Sequence, residues 1–220
     1  MTRDRDFTPA LGHHAFTGAY DRILALMTRE RRWRAELLAA VAPAAGEMIL
    51  DVGCGTGTFA ILMKQAAPGS TVIGVDPDEN VLSIARVKAA RLAAAVDWRS
   101  GYGDALPSIV REASLDKVVS SLVLHQCPME VKSAILAACW RVLRPGGRLV
   151  IADYGQQRTR LMRLLFRQVQ LLDGVEHTEP NARGVLPKLI AGAGFARVVE
   201  ARTIQTPTGS ISIYSGERPA

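Results

Sequence analysis

The chain predicts a doubly wound α/β fold, and three observations carry that expectation. Short apolar runs alternate with longer helix-like segments through most of its 220 residues. The central runs are nearly continuous in Val, Ile and Leu, the pattern of strands covered by helices on both faces. Three glycines fall within five residues where the first of these runs gives way to a helix.

In chain order, strands are expected at 48–53 (MILDVG), 71–76 (TVIGVD), 95–99 (AVDWR), 116–123 (DKVVSSLV) and 147–153 (GRLVIAD). Helices are expected between them at 57–67, 78–93 and 130–142, whereas Pro107 makes 104–115 less regular. Two helical stretches within 16–42 precede the sheet. Arg144-Pro145-Gly146-Gly147 reads as a helix stop and a turn. A short helix at 185–192 follows, and then strands at 195–204 and 210–216. Pro207-Thr208-Gly209 joins those two strands in a short turn, which implies an antiparallel pair at one edge of the sheet.

The net charge of +6 first suggests a polyanionic partner. Residues 1–140 carry 15 basic and 15 acidic side chains, and residues 141–220 carry 12 against 6, so the surplus is confined to the last part of the chain. Three cysteines (Cys54, Cys127 and Cys139) form no C-x-x-C pair, and neither a metal site nor a disulfide framework is expected. The first residues hold acids and no apolar run, and no stretch approaches 18 apolar residues. The expected setting is the cytoplasm.

The strongest local signal is Leu50-Asp51-Val52-Gly53-Cys54-Gly55-Thr56-Gly57. Glycines let the backbone turn tightly and approach a ligand, and the following helix N-terminus favours a negative group. A dinucleotide fingerprint is G-x-G-x-x-G, but here the last position is Thr58, and no P-loop lysine follows. Asp76 ends the second strand some 20 residues later, where an acid can accept from both ribose hydroxyls; the alternative is that it caps the next helix, a task Asp78 could also perform. After the third strand, Asp104 could accept from an adenine amino group, with Ala105 offering its N–H, although an Asp beside Gly is also common in plain turns.

These motifs, together with GVD (74–76), GDALP (103–107), LDKVVSSLVLHQ (115–126) and RVLRPGGRLVIAD (141–153), resemble the class I S-adenosylmethionine-dependent methyltransferases. The likeness covers about residues 20–155, and 184–216 resemble that family's closing helix and hairpin. Within the family it lies nearest the small-molecule branch of ubiquinone and menaquinone biosynthesis enzymes, which Phe16-Thr17-Gly18-Ala19-Tyr20-Asp21 supports. The resemblance implies a Rossmann-like, seven-stranded, mostly parallel sheet with its last strand antiparallel. It implies S-adenosyl-L-methionine as cofactor, with Gly53, Gly55 and Gly57 along its methionine part, Asp76 on the ribose and Asp104 on the adenine. Cys54, Pro77, Ala105 and Leu122 would line the same site. Asp51 would steady the loop or reach the cofactor's amino end through water, and Tyr20 would lie near the sulfonium.

A sulfonium methyl is already activated, so the protein chiefly aligns the acceptor, which can be worth ~7–11 kcal/mol. A base near an acidic acceptor adds roughly 10²–10⁴-fold. His125, after the fourth strand, is the first candidate, and a structural histidine at a strand end is its equal alternative. Asp153 and Tyr154 are weaker candidates. His13 and His14 cannot face the same way on a helix, and His177 is expected in a solvated loop. The fourth strand ends in SSLVLHQCP rather than the Asn/Asp-Pro-Pro-Tyr of nucleic-acid amino-methyltransferases, so no nucleic-acid partner is expected.

Residues 158–172 place Leu161, Leu164, Leu165, Val169 and Leu172 on one helical face and Arg160, Arg163 and Arg167 on another. That face could pack in a cap, in a homodimer or on a lipid surface. The loop 173–183, with Asp173, Glu176, His177 and Glu179, follows and could border the acceptor pocket, though nothing in it fixes the acceptor's identity. The expected organisation is a helical lid over 1–45 and a cofactor-binding domain over 46–220, with 155–183 inserted as an acceptor-side cap. The expected activity is O- or C-methylation of a small aromatic or quinone-like acceptor. The rivals are a phospholipid or amphiphile methyltransferase, a non-catalytic cofactor-binding subunit, and an NAD-dependent oxidoreductase.

Overall fold

The computed structural model describes residues 29–220. Its strands are β1 (Met48–Val52), β2 (Thr71–Asp76), β3 (Val96–Ser100), β4 (Leu115–Ser121), β5 (Leu143–Tyr154), β6 (Ala196–Thr206) and β7 (Gly209–Glu217). They form one sheet in the order β3-β2-β1-β4-β5-β7-β6. The first five are parallel, and β7 lies antiparallel between β5 and β6. The helices are α1 (Glu30–Val41), α2 (Thr58–Ala66), α3 (Glu79–Arg91), α4 (Met129–Val142), α5 (Arg160–Asp173), α6 (Val175–Ala182) and α7 (Leu186–Gly192).

The period-two geometry of strands sorts successive side chains into two cores. Leu50, Val52, Ile73 and Ile151 meet Leu136 of α4 and Ile190 of α7 on one face. Ile49, Val72 and Val150 meet Trp33 and Leu37 of α1, Phe59 of α2 and Phe166 of α5 on the other. Helix α1 is therefore a layer of the sheet. The remainder of the expected lid, with Tyr20, His13 and His14, lies outside the described residues.

Three expectations are corrected. Arg144–Gly147 does not end the helix in a free turn: β5 starts at Leu143, and the extra residues form an irregularity between the Leu115–Leu143 and Lys117–Arg148 pairings. The Gly146 amide donates to the Arg218 carbonyl and the Arg218 amide to the Gly147 carbonyl, both at 2.9 Å, which pins that segment. Second, 173–183 is not a loop but chiefly α6. Third, the face that α5 buries is Met162, Phe166 and Val169. Leu161, Leu164 and Leu172, expected on the packed face, are 59%, 58% and 64% exposed, and Leu171 joins them.

Candidate active site

The parallel strands present their carboxyl ends along one edge. In sheet order that edge carries Asp104 after β3, Asp76 at the end of β2, the glycine loop after β1, Leu122–His125 after β4 and Asp153 in β5. Strand order reverses between β1 and β4, which is where ligands bind in such sheets.

Gly53, Gly55 and Gly57 all have positive φ (68°, 52° and 74°). Their surroundings differ. A side chain at Gly53 would strike Val123 and one at Gly57 would strike Trp98, whereas one at Gly55 would meet no atom within 4 Å. The loop thus packs tightly at both ends and is open at its middle. It is fixed to β2 by the Gly53 and Cys54 amides, which donate to the Val75 carbonyl at 2.8 and 3.1 Å.

Asp76 is buried, and its oxygens accept from the Gly55 amide at 2.9 Å and the Asp78 amide at 3.0 Å. Burial raises its pKa, and those two amides oppose the rise. The cap of α3 is Asp78, whose side chain accepts from the Asn80 amide at 2.8 Å. Pro77 lies half-buried between them. Thr58, the residue that departs from a dinucleotide fingerprint, accepts from Lys88 Nζ at 2.9 Å.

Asp51 is fully buried, and neither of its carboxylate oxygens has a hydrogen-bond partner among the described residues. Burial pushes its pKa to about 7, against the field of Arg34. A carboxylate left so is costly unless a donor or cation meets it. Cys54, buried beside it, has its thiol pKa raised by the same burial and by Asp51. Asp104 and Ala105 lie half-buried in a 3₁₀ turn, and the Ala105 amide donates within that turn to the Tyr102 carbonyl at 3.0 Å. The N–H expected to face a ligand is thus already engaged.

Beyond β4 the chain turns sharply. Leu122 adopts a left-handed conformation (φ 56°), a strain of order 1 kcal/mol that non-glycine residues carry where the surroundings impose it. Its amide donates to Ala152 at 2.9 Å. Asp153, fully buried, accepts from the Leu124 amide at 2.7 Å, the Tyr154 amide at 2.7 Å and His125 Nδ1 at 2.8 Å. The other imidazole nitrogen, Nε2, faces Asp173 at 3.3 Å. The Tyr154 ring meets the imidazole edge-on, with centroids 5.0 Å apart. Burial alone would lower the pKa of His125, but the two carboxylates outweigh it and raise it to about 9.

Two more residues complete this end of the site: Asp173, expected in the loop 173–183, and Lys132, which the sequence did not single out. Asp173 ends α5. Lys132, buried in α4, donates to the carbonyls of Leu124 (2.6 Å), Cys127 (2.7 Å) and His177 (2.8 Å). His177 is on α6 rather than in a solvated loop, and contributes its backbone. Among the described residues, no group of three His, Cys, Asp or Glu side chains could hold a metal, and the three cysteines are free. No described helix is long and apolar enough to cross a membrane.

A family model described as a methyltransferase domain matches residues 49–147. The demethylmenaquinone methyltransferase of Deinococcus radiodurans is 35% identical over 147 residues, 67% of this chain and 59% of that protein's length. The enzyme of the same name from Clavibacter sepedonicus is 30% identical over 224 residues, 93% of this chain and 87% of that protein. Among solved structures, magnesium protoporphyrin IX methyltransferase from Synechocystis PCC 6803 is similar in fold. Its TM-score is 0.67 at 20% identity, over 94% of this chain and 90% of that one.

Proposed function

The chain belongs to the class I S-adenosylmethionine-dependent methyltransferases of the quinone-biosynthesis type, and we propose that it methylates a small quinol-like or phenolic acceptor. The observation that carries the reading is the conjunction along one sheet edge of an open glycine loop, an orphaned buried carboxylate and an Asp-bound histidine. The residues fit S-adenosylmethionine. Asp51, enclosed and unpaired among the described residues, would reach its ammonium through water, Gly55 leaves room for its methionine part, and Asp76 retains lone pairs for the ribose. Cys54, Pro77, Asp104, Ala105 and Leu122 line the remainder.

The cofactor supplies an electrophilic methyl on a sulfonium. The chain's own task is to hold the acceptor behind that methyl and to take its proton. Asp153 fixes Nδ1 of His125, so Nε2 is the nitrogen that receives the acceptor hydroxyl's proton. So held, the acceptor's oxygen or adjacent ring carbon would present its electron pair to the methyl that the cofactor would supply, its sulfur keeping the pair of the broken bond. For attack through carbon, the ring proton would pass through solvent to the oxygen, restoring the hydroxyl and the aromatic ring, and the proton held at Nε2 would be released to water.

The cap over 155–183 bounds the acceptor side, and the enzyme acts in the cytoplasm. The solvent-facing side of α5 supports peripheral contact with an anionic bilayer, where amphiphilic quinols reside: Leu161, Leu164, Leu171 and Leu172 lie beside exposed Arg160 and Arg167. A second copy of the chain is the competing occupant of that face. Titration calorimetry with S-adenosylhomocysteine tests the cofactor assignment. One site per chain is expected, and absence of binding contradicts the reading.

A further inference from the structure

The His125 imidazole lies between two carboxylates from different parts of the fold. Asp153 comes from the sheet and is fully buried, whereas Asp173 comes from the cap with its side chain 24% exposed. Both ring nitrogens face carboxylate oxygens, and only the imidazolium has two N–H donors, so the geometry itself selects the charged ring. The other groups packed around it are the Tyr154 ring and Lys132, whose Nζ lies 3.4 Å from the His125 carbonyl; Cys127, two residues on, feels the charges of Lys132, Asp153 and Asp104.

Asp173 stands where local rules disfavour it. It is the last residue of α5, at the negative end of the helix dipole, and Gly174 (φ 82°) follows at once. Departures of this kind are expected at functional positions. A second bond joins the same two bodies, because Lys132 ties the His125 turn to the His177 carbonyl of α6. The cap is thereby bolted at two points to the segment that carries His125. An acceptor hydroxyl could reach Nε2 only at the place Asp173 occupies.

We propose that Asp173 is a positioning residue for methyl transfer: it holds the cap against His125, aims Nε2, and yields that nitrogen to the acceptor's hydroxyl. The charge of Asp173 then governs the pH at which His125 becomes able to take a proton. Because the acceptor makes the same kind of contact as the carboxylate it displaces, the site selects acceptors bearing an acidic hydroxyl. The inference rests on the reading of His125 as the base.

The test is a nuclear magnetic resonance titration of the His125 ring in the full chain, needing neither acceptor nor turnover. The wild type is expected to titrate near 9. Asp173→Asn should lower that midpoint by roughly one unit or more, as removal of a close opposite charge does, and Asp173→Glu should restore most of it. Amide exchange in 160–182 should quicken in Asp173→Asn and recover in Asp173→Glu. With naphthohydroquinone as probe acceptor, the rise of kcat/KM with pH should move to lower pH in Asp173→Asn, with affinity for S-adenosylhomocysteine unchanged. An unmoved His125 midpoint in a folded Asp173→Asn protein overturns the inference. So does a moved midpoint with an unmoved rate profile. Failure of the wild type to methylate the probe while the midpoint moves as expected would count against the acceptor class, not against the Asp173–His125 coupling.

Discussion

The Asp76 carboxylate accepts the Gly55 amide at 2.9 Å, tying the end of one strand to the middle of the loop that follows its neighbour. A single side chain thus shapes the open part of the loop and stands at the ribose position of the proposed cofactor. Asp76→Ala is expected to weaken S-adenosylhomocysteine binding by about 10–100-fold, the effect of losing a charged acceptor from a buried site. Calorimetry reads this directly, and unchanged affinity would refute the assignment.

Asp51 makes a prediction with a definite sign. Its pKa in the fold, about 7, lies above the ordinary 3.8. Ionising it in place therefore opposes folding. The cost is absent below about pH 4, grows as pH rises toward 7, and is complete above it. Without ligand, Asp51→Asn should gain stability relative to the wild type as pH rises from 5 to 8.5, by a few kcal/mol at most. Thermal melts at both pH values check this; a difference independent of pH would contradict it. The same variant should bind S-adenosylmethionine more weakly, having lost the partner of its ammonium.

The glycine loop, Asp76 and the succession of strands and helices were legible because each rests on residues close in sequence: a strand, a turn and a helix start. The Asp173–His125 and Lys132–His177 contacts were not, because their partners lie 48 and 45 residues apart and Lys132 reads in sequence as an ordinary surface charge on a helix. Helix α5 shows a different limit. Apolar residues cover more than half of its circumference, so periodicity establishes a helix without saying which side meets the sheet. Phe166 and Met162 do so here, leaving the leucines outside.

That exposed face has its own test. Leu164→Glu combined with Leu171→Glu should change stability by no more than about 0.5 kcal/mol, as surface substitutions do, while abolishing flotation with phosphatidylglycerol vesicles at low salt. Sedimentation in the absence of vesicles separates the competing account: a wild-type dimer that the double variant converts to monomer would assign the face to a second copy instead.

His125→Ala should lower turnover by roughly 10²–10⁴-fold, the usual contribution of a positioned base, with cofactor affinity unchanged. In the wild type, kcat/KM should rise with pH toward about 9, because the two carboxylates hold the ring protonated below that value. A variant that loses stability but retains turnover and the pH profile would make the histidine structural.

The central claim is methyl transfer to a quinol-like acceptor. It is tested most directly by incubating the full chain with methyl-labelled S-adenosylmethionine and a reduced, unmethylated naphthoquinone, then extracting the organic phase. Label in a product one methyl heavier, formed in step with S-adenosylhomocysteine and lost in Asp76→Ala, is the predicted result. Tight cofactor binding with no labelled product from this acceptor or a panel of phenols and quinols would contradict it.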